Sequence, residues 1–414
     1  MTSAQQYPRL QPMSGAERPP QGQGTKVAVL YNTDYATLDI VEEDAEPPSH
    51  AADAGVAETA QAVAASLAVA GWDPVLLTVS DAIDDLPERL RDAGIGVVFN
   101  LVESLGGDPH REPDVPAALE AANIAYTGNG PAALALAHAK DAARERLRSR
   151  GVPVPRGFAI HDPDRIINLP WGGLDFPLFV KPARTDASIG VEQSSVVRDV
   201  GELRRQLERL AARVPGPYLV EEYLPGRELN VAIFPDPFRG RYVPTEIDFS
   251  ALPAGCAPIV TYDCKWTPGT PDYQAESRPC GDALGPVLLR AVVRTSRAAF
   301  LALGATSYGR VDLRLDAAGR PRVIDVNPNP DIHPDAGACL AAASVGIDHP
   351  TFVADIAAQA SAPGAARGWS WPSRNRKAAD RRGSSPRRIF VPALADDPTG
   401  GAHEALASII ADPA

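Results

Sequence analysis

The stretch YGRVDLRLDAAGRPRVIDVNPNP, residues 308–330, decides how the rest of the chain is read. Two runs of alternating polar and apolar residues flank DAAG, and the second run stops on a cluster of prolines. Successive strand residues face opposite sides of a sheet. Arg310 and Asp312 therefore share one face of the first run, with Val311, Leu313 and Leu315 opposite. Asp325 and Asn327 share a face of the second, with Ile324 and Val326 opposite. A two- or four-residue turn around DAAG pairs even positions with odd ones and brings all four polar residues together. Two carboxylates, an amide oxygen and a guanidinium on one face make an oxygen cage for Mg²⁺ with a fixed cation beside it. The alternation also describes an amphipathic hairpin with a solvated polar face. The prolines shift the balance, because a residue without an N–H cannot extend a ladder. This strand end is committed to a loop able to hold a ligand.

Around this hairpin the 414-residue chain has the composition of a globular protein of two or three domains, 44% hydrophobic and 22% charged. A formal net charge of −12 argues against a nucleic-acid partner for the main body. The charge is uneven: residues 364–388 hold eight Lys or Arg against one Asp, which leaves −19 on the remainder. The four cysteines (Cys256, Cys264, Cys280 and Cys339) form no CxxC pair and read as reduced thiols. No run approaches eighteen apolar residues, and no basic-then-apolar leader opens the chain. The expectation is a soluble cytoplasmic protein with no membrane partner.

Residues 1–24, rich in Gln, Pro and Gly, are expected to be disordered. KVAVLYN, DPVLLTV and IGVVFNLV read as apolar strands alternating with helices over GVAETAQAVAASLAVAG, LPERLRDAG and VPAALEAAN. That pattern predicts a parallel sheet covered on both faces. LALAHAKDAARERLRSRG, residues 134–151, reads as one long helix ending at Gly151. From Phe176 onward short strands (FPLFVKPA, SSVVRD, YLVEEYL, LNVAIF) surround one helix, VGELRRQLERLAARV. The expected divisions are an N-terminal α/β region at 25–139, a central α+β lobe at 140–222, a second lobe with the metal face at 223–362, and a basic low-complexity tail at 363–414.

Lys181, at a strand end before the small-residue loop of VKPARTDASIGV, is placed to meet phosphate together with loop amides. The loop matches neither GxxxxGK[ST] nor GxGxxG, so a surface turn with a solvated lysine stands equally. Lys140 and Lys265, the latter in TYDCKW, are ambiguous in the same way. The acids of YLVEEYLPGREL suit the donors of a nucleobase amine and a ribose, or else blunt an edge strand.

In this order and spacing, VKPARTDASIGV, VEEYLPGREL, YGRVDLRL and DVNPNP resemble the ATP-grasp superfamily, most closely its D-alanine–D-alanine ligase-like branch. The resemblance runs from about residue 26 to 356, and AYTGNG…AKDAARERLRSRGVPVP extends it. It implies an N-terminal parallel-sheet α/β domain and two α+β lobes enclosing ATP. By position, Lys140 and Lys181 would contact the nucleotide, and Lys265 would reach its phosphates from a closing loop. Glu221 would accept from the adenine amine, the backbone of Glu222, Tyr223 and Leu224 would form the hinge, and Glu228 would hold the ribose. Asp312, Asp325 and Asn327 match ligands of two Mg²⁺ ions, and Arg310 matches the arginine that stabilises a tetrahedral intermediate.

Departures from the family bear on substrate. Its phosphate-loop Ser-Ser pair is Ala187 and Ser188 here, with Ser188 kept as a catalytic candidate. The tyrosine after the closing-loop lysine is Trp266. Glu103 stands where the family has a histidine, and Asn327-Pro-Asn329-Pro-Asp331 replaces Asn-x-x-Pro-Gly, so Glu103, Trp266, Asn329 and Asp331 are the substrate candidates. Glu58 is the nearest helical candidate for an N-terminal substrate glutamate, though a helix-surface acid describes it better.

The resemblance implies an ATP-dependent carboxylate–amine ligase for amino acids or small peptides, acting through an acyl phosphate. Specialised dipeptide synthesis fits the altered loops better than the cell-wall dipeptide reaction. Loading a carrier-protein thiol is a second reading, which the basic tail would serve by docking an acidic carrier. A nucleotide-binding protein without catalysis is a third. A homodimer is common in the family, and no residue here decides it.

Overall fold

The structure, a computed structural model, describes residues 24–33, 49–162, 173–234, 241–267 and 276–361, together with Gly269, Thr270 and Tyr273. Residues 1–23 of the expected disordered N-terminus and the basic tail lie outside the described residues.

The first elements alternate along the chain: β1 (Lys26–Asn32), α1 (Ser49–Val69), β2 (Asp73–Val79), α2 (Leu86–Asp92), β3 (Val97–Asn100), α3 (Asp114–Ala121) and β4 (Ala125–Tyr126). The four strands form a parallel sheet in the order β2-β1-β3-β4. Alternate residues of β1 serve opposite faces, as the strand period requires. Val27 and Val29 pack with Val63 and Leu67 of α1, while Ala28 and Leu30 pack with Leu86, Leu90 and Leu119 of α2 and α3. Both faces are covered, which is why these strands are apolar throughout.

Next come α4 (Pro131–His138) and α5 (Lys140–Ser149). The expected single helix over 134–151 is broken at Ala139, whose φ −97° and ψ 75° are not helical. The amide of Lys140 leaves the helix ladder and donates to the Ala183 carbonyl at 3.0 Å. A tertiary hydrogen bond overrides local propensity here, and it places His138 and Lys140 at facing helix ends.

A second sheet holds β5 (Gly157–Ile160), β6 (Leu178–Pro182), β7 (Val196–Val197) and, after α6 (Val200–Arg213), β8 (Tyr218–Glu222), in the antiparallel order β5-β8-β6-β7. Leu178, Val180, Tyr218 and Val220 pack on Leu203, Leu207 and Leu210 of α6. Because β8 lies between β5 and β6, its acids do not guard a sheet edge, which removes that alternative.

The third sheet comprises β9 (Glu228–Phe234), β10 (Arg241–Asp248), β11 (Glu276–Pro279), β12 (Gly309–Leu315) and β13 (Pro321–Asn327), in the order β11-β10-β9-β12-β13. Helices α7 (Tyr262–Trp266) and α8 (Gly285–Ala302) fall among these strands, and α9 (Gly337–Ser344) and α10 (His349–Ser361) follow them. Sequence reasoning left β10, β11 and α8 to α10 unassigned. Leu229, Val231, Val311 and Leu313 pack on Val292, Ala299 and Phe300 of α8. Phe352 and Ile356 of α10 return to the first sheet beside Val29 and Leu67. The four cysteines are free thiols, and no described helix is long and apolar enough to cross a membrane.

Candidate active site

Helices α6 and α8 cover one face each of the second and third sheets, and the opposite faces line a cleft of about 740 Å³. Residues that alternate away from those cores line this cleft: Phe179 and Lys181 on β6, Glu221 on β8, Glu228 and Asn230 on β9, and Arg310, Asp312 and Arg314 on β12.

The hairpin register places Arg310 opposite Asn327 and Asp312 opposite Asp325, and Asp312 also faces Asn230 of β9. The predicted even–odd pairing holds at the site and ends at a bulge between Asp312 and Leu313. The bulge leaves Ile324 outside the pairing, and its carbonyl accepts from Lys181 Nζ at 2.9 Å. Arg310 grips Asp312 with Nε–Oδ1 at 2.7 Å and Nη2–Oδ2 at 2.9 Å. Burial works against the guanidinium, but Asp312 and Asp325 outweigh it and raise its pKa. Among the described residues no three His, Cys, Asp or Glu side chains gather to hold a metal. The oxygens on this face are two carboxylates and the amides of Asn327 and Asn230, and Asn230 Oδ1 is buried without a hydrogen-bond partner. That hard-oxygen set suits Mg²⁺.

Along the opposite wall, buried Glu221 meets Arg144 at 3.1 Å and Lys181 at 3.7 Å. The Glu222 carboxylate turns to Arg156, at 2.8 Å. The amides of Glu222 and Tyr223 donate to the carbonyls of Arg156 and Pro177. Buried Glu228 pairs with Arg314 at 3.0 Å, and burial raises the Glu228 pKa despite that partner. The Arg314 guanidinium also lies 5.3 Å from the centre of the Tyr223 ring. Arg314 and Arg144 escaped sequence reasoning, although Arg314 continues the same alternation as Arg310 and Asp312.

The loop after β6 borders the cleft, with Ala187 and Ser188 at φ 55° and 64°. Lys140 binds Asp186 of this loop and lies 3.4 Å from Asp325. Burial opposes the Lys140 charge, but these two acids raise its pKa. Lys265, on α7, has its pKa lowered by desolvation and by the neighbouring Arg310 cation. Beside it, Trp266 Nε1 donates to the Ala187 carbonyl at 3.0 Å. An indole N–H thus fastens α7 to the loop after β6, where the motifs show only a missing pair of hydroxyls.

Glu103 and Asp331 also line the cleft, with Asp331 Oδ1 accepting from the His333 amide at 2.8 Å. Glu58 is exposed and lines no part of the cleft. The Asn329 amide is engaged by protein: Nδ2 donates to Glu112 at 2.7 Å and to the Val102 carbonyl at 3.3 Å, and Oδ1 accepts from Tyr308 at 3.1 Å. It braces Glu112 and also lines the cleft. Glu112 in turn meets His138 Nε2 at 2.5 Å, and His138 Nδ1 meets Asp186 at 2.9 Å. Glu112, His138 and Asp186 were missed. The one available signal was a histidine in an otherwise apolar helix.

Comparison with known proteins agrees with this geometry. A family model described as D-ala D-ala ligase C-terminus matches residues 160–358. A D-alanine–D-alanine ligase of Synechococcus is 31% identical over 275 residues, 65% of this chain and 78% of that protein. The uncharacterized protein y4sG of Sinorhizobium fredii is also 31% identical, over 63% of this chain and 73% of its own. Among solved structures, a Bacillus anthracis D-alanine–D-alanine ligase complexed with ATP aligns with TM-score 0.59 at 20% identity, covering 82% of this chain and 97% of that one. The VanG D-Ala:D-Ser ligase of Enterococcus faecalis aligns with TM-score 0.60 at 17% identity, covering 81% and 98%. The fold is that of the ATP-grasp enzymes, and the protein is a carboxylate–amine ligase by class. The chain belongs to the D-alanine–D-alanine ligase family.

Proposed function

We propose that the protein joins the carboxylate of an amino acid or small peptide to an amine, converting ATP to ADP and phosphate through an acyl phosphate. The carrying observation is the convergence of Arg310, Asp312 and Asp325 with Lys140, Lys181 and Lys265 on one cleft. Lys140 and Lys181 hold nucleotide phosphates in this reading, and Glu221 accepts from the adenine amine. The amides of Glu222 and Tyr223 are already engaged, so the Leu224 amide is the hinge donor. Glu228, steadied by Arg314, receives the ribose. Asp312, Asp325 and Asn327 would hold Mg²⁺, which neutralises charge on the transferring phosphoryl group.

In the first step a carboxylate oxygen bonds to the γ-phosphorus and ADP leaves. In the second an amine nitrogen attacks the acyl carbon, phosphate departs and the nitrogen loses a proton. Negative charge develops on oxygen in both, beside Arg310 and Lys265. The lowered pKa of Lys265 reflects burial first and the nearby Arg310 cation second, and an arriving phosphate offsets both.

Ala187, Trp266, Glu103 and Asp331 support substrates other than two D-alanines and a place in specialised biosynthesis. The test is incubation with Mg·ATP and a panel of L- and D-amino acids, following ADP, phosphate and condensed product. AMP and pyrophosphate as products would overturn the acyl-phosphate route, and a carboxylate-dependent thioester with no amide would favour a carrier thiol as acceptor.

A further inference from the structure

The break at Ala139 puts two cations, His138 at the end of α4 and Lys140 at the start of α5, against a single carboxylate. Asp186 Oδ2 meets His138 Nδ1 at 2.9 Å, and Asp186 Oδ1 meets Lys140 Nζ. Each oxygen thus has its own cation, an arrangement that two oxygens of a phosphoryl group reproduce. Resting on the nucleotide reading above, we propose that His138 and Lys140 form the subsite for the β- or γ-phosphoryl group of ATP, and that Asp186 is a stand-in anion which the nucleotide displaces.

The two sides of the contact differ in how firmly they are built. The His138 and Lys140 side chains are 13% and 11% exposed, whereas Asp186 is 48% exposed on a loop. The carboxylate is the member able to leave. His138 is anchored from behind by buried Glu112, itself held by Asn329, and its ring edge meets His110 at 5.8 Å between centroids. Burial disfavours the imidazolium, but its hydrogen bonds to the Asp186 and Glu112 carboxylates raise its pKa to about 10, so the cation persists at neutral pH. The C-terminal end of α4 favours the same charge. Asp186 follows Lys181 by five residues in the loop that borders the cleft. A phosphate chain on Lys181 and Lys140 would confront that carboxylate, and two anions in one cradle repel.

Calorimetric titration with AMPPNP, and with AMP as control, decides the matter for the full chain in excess Mg²⁺. Asp186→Asn removes the competing charge at a half-exposed loop position. AMPPNP should then bind about tenfold tighter, the order of one competing charged hydrogen bond, with AMP unchanged. His138→Gln added to Asp186→Asn should abolish most of that gain. AMP binding normally while AMPPNP gains nothing overturns the inference alone, as does an equal gain for both ligands. Failure of the wild type to bind either ligand overturns the nucleotide reading and the inference with it.

Discussion

The β12–β13 hairpin and the Glu112–His138–Asp186 network sit on the same cleft and were assembled by different means. Four polar residues of the hairpin come from eighteen consecutive positions, 310–327, and one rule, the two-residue strand period, aims them all. The network draws on residues 112, 138, 186 and 329, each from a separate segment, and forms only after the three sheets have come together. Local periodicity specifies the first. Tertiary contact specifies the second. A site of this kind combines a chemical face that alternation alone encodes with a surrounding shell free to vary with substrate.

The hairpin makes the largest prediction. In the proposed reaction Arg310→Ala removes the cation of the hairpin face and should lower ADP release by about 10³-fold, the scale of losing an oxyanion donor. Steady-state turnover with Mg·ATP and an accepted amino acid measures it. Turnover left intact would remove the hairpin from the chemistry and reverse the comparison. Next in size, Gly309→Ala attacks the hairpin through packing. An added Cβ would run into the Phe300 ring and lie 3.0 Å from the Asn327 carbonyl, in a core without room to give. The expected loss is about 3 kcal/mol, read as a lower denaturant midpoint with an unchanged slope.

How much was legible follows from the same contrast. KVAVLYN gave away the buried parallel sheet because both faces of β1 are covered, so a short run could be read with no partner in view. Arg310, Asp312, Asp325 and Asn327 were legible because one strand period aims them. Ala139 was not, since nothing in an alanine within a helical pattern reveals that Ala183 captures the next amide. Asp186 looked like one more small polar loop residue, and its meaning depends on His138, 48 positions away. The roles of Glu221 and Glu228 came from resemblance, and the ion pairs with Arg144 and Arg314 became visible only through the register of β5, β8, β9 and β12.

Trp266 lies between the two regions, fastening α7 to the phosphate loop. Trp266→Phe keeps a ring and removes the N–H that Ala187 accepts. One neutral hydrogen bond on a half-exposed side chain contributes about 1 kcal/mol, so the KM for ATP should rise roughly fivefold with kcat less affected. An unchanged KM would assign the closing of this loop to contacts other than the indole.

A pH dependence separates the network from the hairpin. His138 has its pKa raised to about 10 in the folded protein, against about 6.5 for an unperturbed histidine. The folded state therefore binds the proton more tightly than the unfolded chain. The stabilisation is complete below about pH 6.5, declines as pH rises, and is lost through about pH 10. Urea unfolding of the wild type and of His138→Gln at pH 6, 8 and 9.5 should show a stability gap that narrows steadily. A His138 gap constant with pH would mean that the imidazole acts there by shape alone, and would leave Asp186 with one cation, Lys140, to hold it.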